Sequence, residues 1–161
     1  MAKQKPVITN AMRILDKEKI PYELVEYDTG GEIGDNFGEY IADLCGLDPN
    51  MSFKTLVVQG KSVYVACIPV CCELDLKKLA ACAGEKKLEM IHVKDLFALT
   101  GYIRGGVSPI GMKKNFRTFI NSTVSDFDKV AVSGGRCGST VLVSPNDLVK
   151  ITSATVADII R

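Results

Sequence analysis

Apolar positions recur at helical spacing from the start of the chain. Ile8, Ala11, Met12 and Leu15 follow one another by one to three residues, with Thr9 placed as an N-cap. Tyr22 to Tyr27, after Pro21, reads as a strand. Phe37, Tyr40, Ile41 and Leu44 fall on one helical face, and Gly46 is a natural stop. The runs from Phe53 to Val58 and from Ser62 to Ile68 are β-type, and Gln59-Gly60-Lys61 joins them into a hairpin.

Leu76, Leu79, Ala80 and Ala83 form the stripe of a further helix ended by Gly84. A short strand over Leu88 to His92 and a short helix over Val93 to Leu99 follow. Strands are predicted at Thr118 to Asn121, Val130 to Ser133 and Thr140 to Val143. Ser144-Pro145 caps a helix, and Ala154 to Ile160 reads as a second one. Strands and helices mix without regular βαβ alternation, so the expected fold is α+β: a mixed, partly barrel-like β-sheet surrounded by helices. No internal repeat and no Gly/Ser/Pro linker divides the chain, so one domain over residues 1–161 is expected.

Composition narrows the class. Hydrophobic residues are 47% and charged residues 24% of 161, which excludes a disordered chain. No apolar run approaches the roughly 20 residues of a membrane span. The basic start Met1-Ala2-Lys3-Gln4-Lys5-Pro6 leads into no apolar signal core, so a soluble cytoplasmic protein is expected. Cys45, Cys67, Cys71, Cys72, Cys82 and Cys137 should then be reduced. None of them has zinc-knuckle spacing, and His92 is the only histidine, so neither a metal nor any other cofactor is expected.

A net charge of +1 does not by itself suggest nucleic acid, but its distribution is uneven. Residues 16–48 carry ten acids, Glu32, Asp35 and Glu39 among them, against two lysines. Residues 100–125 carry Arg104, Lys113, Lys114 and Arg117 and no acid. That basic segment holds Gly105-Gly106-Val107-Ser108-Pro109, and a second glycine-rich stretch is Ser133-Gly134-Gly135-Arg136-Cys137-Gly138. Such loops let a ligand approach main-chain N–H groups. Neither is a nucleotide fingerprint, and taken alone each reads as a turn before it reads as a site. Lys54 shares a strand face with Leu56 and Val58. It is either a cation at an exposed strand end, its stem covering apolar surface, or one on a buried face that needs an anionic partner or a depressed pKa.

Taken together, Phe53-Lys54-Thr55-Leu56, Leu74-Asp75-Leu76-Lys77-Lys78-Leu79, Lys86-Lys87-Leu88-Glu89-Met90, Gly101-Tyr102 through Gly105-Gly106-Val107-Ser108-Pro109 to Gly111, and Val132-Ser133-Gly134-Gly135 resemble the YbaK/EbsC family. These are free-standing homologues of the editing domain of bacterial prolyl-tRNA synthetases. The resemblance runs from about Thr9 to Ile160 and is strongest to the Cys-tRNA(Pro) deacylase branch.

The resemblance implies hydrolysis of the ester joining a wrong amino acid to the tRNA 3′ CCA end, with prolyl-tRNA synthetase as a partner. It assigns Lys54 to the phosphate or ester region and the Gly105 and Gly106 N–H groups to the substrate carbonyl. Thr55, Ser108, Ser133 and Gly134 would border the aminoacyl-adenosine, and Tyr27 and Phe37 would stand at the pocket mouth. Reactivity is expected from the substrate's own hydroxyl or thiol. One departure is Thr140, where relatives commonly carry Asp; another is Cys137, at an often basic position. The runner-up reading is a non-catalytic module that binds nucleotides or tRNA ends. A thiol redox protein ranks last.

Overall fold

The structure, a computed structural model, describes residues 7–28 and 37–161. The basic start (residues 1–6) and residues 29–36, with Glu32, Asp35 and Asn36, lie outside the described residues.

Local chemistry sets most elements. Helix α1 (Asn10–Lys17) is capped by the Thr9 hydroxyl, which accepts from the Met12 N–H. Strand β1 (Glu23–Glu26) and helix α2 (Phe37–Leu44) follow. The hairpin β2 (Phe53–Gln59) and β3 (Val63–Pro69) forms in continuous register from Phe53↔Pro69 to Gln59↔Val63. Helix α3 (Leu76–Ala83) starts on the Asp75 carboxylate, which accepts from Lys77 and Lys78 N–H, and stops at Gly84. Then come β4 (Glu89–Met90), α4 (Val93–Thr100), β5 (Arg117–Asn121), β6 (Val130–Ser133), β7 (Ser139–Val143), α5 (Pro145–Thr152) and β8 (Thr155–Ala157).

The strands form two sheets, β4-β2-β3-β5-β8 and β1-β7-β6. Period two on β3 explains why nearly all of it is buried. Tyr64, Ala66 and Ile68 face α3 and pack with Leu79, Ala80 and Phe119. Val65 and Cys67 face the smaller sheet and pack with Val130, Val132 and Val141, closed by Leu15 and Leu148. Among the described residues no helix is long and apolar enough to cross a membrane.

The mixed α+β architecture is as expected; the two sheets touch at a parallel bridge, Ser52↔Ala131, without closing into a barrel. Two expectations are corrected. Ala154 to Ile160 is not a helix. Ser153, at φ 52°, ends α5, and the β-branched Thr155-Val156 pairs in parallel with the free edge of β5. The buried pair on α2 is Ile41 and Ala42, whereas Tyr40 and Leu44 are exposed.

The core also carries titratable groups. Burial pushes the Cys67 thiol from 9.0 up to about 12, partly offset by a hydrogen bond with Thr55. Burial likewise pushes the Tyr102 phenol up to about 12. Both neutral forms are favoured by folding, so their stabilisation is complete below the unfolded pKa and is lost as pH rises through the folded one. Urea titrations should therefore show a decline in stability between pH 9 and 12, shallower in Cys67→Ala; an unchanged slope in that variant would contradict the assignment.

Candidate active site in a gap along the sheet edge

The site follows from how β2 is paired. Val70 N–H donates to Ser52 C=O at 2.8 Å, so even-numbered residues of this strand turn their main chain toward β3. Odd-numbered residues face the other edge. There Ala131 N–H reaches Met51 C=O at 3.0 Å and Ile91 N–H reaches Val57 C=O at 3.2 Å. β4 pairs only with Val58 and Gln59, and the β6 bridge stops at Ser52. Among the described residues the edge around Thr55 thus lacks a strand neighbour, and a cavity of about 680 Å³ opens on that gap.

Lys54, Thr55, Tyr27, Phe37, Gly105 and Ser133 all line this cavity. Lys54 is half-buried and makes no ion pair with any described residue. Tyr27 is anchored by its N–H to Gly138 C=O at 3.0 Å. Its phenol pKa is raised mainly by burial, against hydrogen bonds with the Gly138 main chain and the Thr140 hydroxyl. Thr140, the departure from the expected Asp, is itself part of the wall. His92 is not; it stands exposed at the start of α4.

Three expected residues are not brought to the cavity wall. Gly106 N–H donates to Ile103 C=O at 2.9 Å and closes the turn that presents Gly105, so it has no N–H to offer a substrate carbonyl. Gly106 is instead a packing residue: a Cβ there would lie 2.7 Å from Arg136 Cα and Cys137 N. Ser108 is fully buried, its hydroxyl accepting from Ile110 N–H. Gly134 N–H donates to Ser139 C=O inside the second turn, while its C=O accepts from Thr9. These residues hold the two glycine turns against each other and against α1.

Gly105, at φ 89°, is the glycine that faces the cavity, and its N–H has no partner among the described residues. The wall also includes Arg104 and Glu39, which the sequence marked only by their charge, and Glu73, with Met90, Val93 and Leu96. Arg104 makes no ion pair with a described residue, whereas Glu73 pairs with Arg161 at 3.3 Å. Among the described residues the arrangement offers two cations without ion-pair partners, main-chain N–H groups without partners and the hydroxyls of Tyr27, Ser52, Thr55, Ser133 and Thr140, beside apolar side chains. That suits an anionic ligand with a polarisable carbonyl.

Comparison with known proteins agrees with this chemistry. The profile of the aminoacyl-tRNA editing domain matches residues 38–151. This chain belongs to the aminoacyl-tRNA editing domain family. The editing domain is 43% identical over 153 residues to EbsC of Enterococcus faecalis (strain ATCC 700802 / V583), named as a Cys-tRNA(Pro)/Cys-tRNA(Cys) deacylase, covering 94% of this chain and 92% of that one. Its fold matches a crystal structure described as a trans-editing enzyme for prolyl-tRNA synthetase, with TM-score 0.82 and 22% identity over 99% of both chains. A hypothetical protein matches with TM-score 0.83 and 25% identity, over 94% of this chain and 99% of the other.

The packing role of Gly106 is testable. Gly106→Ala should cost about 1–3 kcal/mol or more in urea unfolding, because main-chain atoms cannot yield. Gly46→Ala meets nothing within 4 Å and bears only the cost of its φ of 69°, roughly 1 kcal/mol. Equal losses in the two variants would contradict the close approach of the turns.

Proposed function

We propose that this editing domain is a trans-acting aminoacyl-tRNA deacylase that clears mischarged tRNA(Pro), with Cys-tRNA(Pro) its main substrate. The observation that carries the reading is the meeting of Lys54 and Gly105 in one cavity along the unpaired edge of β2. The 43% identity to a protein named for that activity supports the substrate class.

In this reading the aminoacyl-adenosine occupies the cavity. Lys54 holds the phosphate or ester region, and the Gly105 N–H faces the ester carbonyl, where negative charge grows as water adds. Tyr27, Phe37, Thr55 and Ser133 border the nucleoside and acyl group. Water attacks the carbonyl carbon, the bond to the ribose oxygen breaks, and that oxygen leaves with a proton. The products are the free amino acid and a tRNA with a free terminal hydroxyl. No cavity-lining histidine is available as a base, so a ribose hydroxyl or the substrate thiol is assigned to organising the water. The whole chain acts as one unit in the cytoplasm, and prolyl-tRNA synthetase supplies the tRNA selection that so small a domain lacks.

Purified protein should hydrolyse Cys-tRNA(Pro) faster than Ala-tRNA(Pro) and leave Pro-tRNA(Pro) intact. Lys54→Ala should lower the rate about 100-fold without unfolding the chain, the scale of losing one charge-stabilising contact. Binding of every aminoacyl-tRNA without turnover would instead establish a non-catalytic module, the reading that Thr140 at the expected Asp position favours.

A further inference from the structure

The cavity has an apolar lip that the proposed reaction does not use. Helix α4 lines the cavity through Val93 and Leu96, yet Val93 is 60% exposed and Phe97, four residues on and on the same stripe, is 62% exposed. Met90, 47% exposed, extends the strip toward β4 and also lines the cavity. Just beyond the helix lies Arg104, which reaches the cavity wall without an ion-pair partner among the described residues. A run of exposed apolar side chains at helical spacing leading from the cavity to a phenyl ring, with a cation on the same cavity wall that has no ion-pair partner among the described residues, is unusual for a surface with nothing to bind.

We propose that this lip is the track for the single-stranded nucleotides preceding the terminal adenosine, with a base stacked on Phe97 and a phosphate held by Arg104. The inference rests on the editing reading and deepens it. A cavity of about 680 Å³ holds one aminoacyl-nucleoside, so the rest of the strand has to leave across its rim. The lip is continuous with the cavity through Met90 and Val93. It carries what a flexible single strand needs, an aromatic face for any base and a cation for the backbone. A protein partner would also use the apolar area, and the experiment separates the two.

The substrates are Cys-tRNA(Pro) and cysteinyl-adenosine, which is too short to reach Phe97. Phe97→Ala should raise KM for the tRNA about tenfold with kcat unchanged, and leave cysteinyl-adenosine hydrolysis as in the wild type. Phe97→Tyr should restore tRNA affinity and Phe97→Leu should not, because stacking needs the ring. Arg104→Gln should flatten the salt dependence of KM for the tRNA. The proposal is overturned if Phe97→Leu matches the wild type, or if both substrates suffer equally. It is also overturned if a loss shows only when prolyl-tRNA synthetase is added, which would assign the lip to a protein. If Phe97→Ala is indistinguishable from an active wild type, only the track is lost; if the wild type hydrolyses neither substrate, the editing reading falls and takes the track with it.

Discussion

A strand edge in a folded protein has to be paired, covered or used. In this chain β2 is paired with β3 along its whole length, while on its other side β6 reaches only Ser52 and β4 begins only at Val58. Among the described residues, the stretch between them, centred on Thr55, turns bare main chain toward the cavity. Everything else about the site depends on that gap. It lets Lys54 and Thr55, on opposite faces of one strand, both border the same hollow, which a continuous sheet would forbid.

The gap is kept open by structure that is stiff. The two glycine turns pack main chain against main chain at Gly106 and Arg136, and Thr9 ties the second turn to the start of α1. Tyr102 is buried beneath the first turn and donates its hydroxyl hydrogen to Ile110 C=O. The free Gly105 N–H is therefore presented by a fixed turn, and pre-organised donors of this kind need no rearrangement when charge develops in front of them. Charge in the wall is mixed. Lys54 and Arg104 lack ion-pair partners among the described residues, while Glu73 is turned to Arg161.

Much of this was legible in the sequence because local rules decide it. Thr9 and Ser144 mark helix starts through their own hydrogen bonds, Gly84 marks a helix end, and Gln59-Gly60-Lys61 marks the hairpin. The segment after Ser153 was misread because its fate is tertiary: three residues become a strand only where β5 offers a free edge. The same limit applies to the site. Motif likeness put Lys54, Tyr27, Phe37, Thr55, Gly105 and Ser133 in one neighbourhood, and they share the cavity. It could not separate Gly105 from Gly106, because which N–H is spent in a turn depends on the turn closed at Ile103. Arg104 was legible only as one cation of a basic segment, and the α4 lip not at all, since no local pattern tells that a helix flanks a cavity.

The central claim is that an aminoacyl-adenosine sits against the unpaired edge of β2 with its carbonyl toward Gly105. A crystal structure with an amide-linked, non-hydrolysable cysteinyl-adenosine tests it most directly. The account predicts the acyl carbonyl oxygen within hydrogen-bond distance, about 3 Å, of the Gly105 N–H, and the Lys54 ammonium on the ribose-phosphate side. A ligand bound instead in the separate hollow between Ser62 and Arg117, with the β2 gap empty, would contradict it.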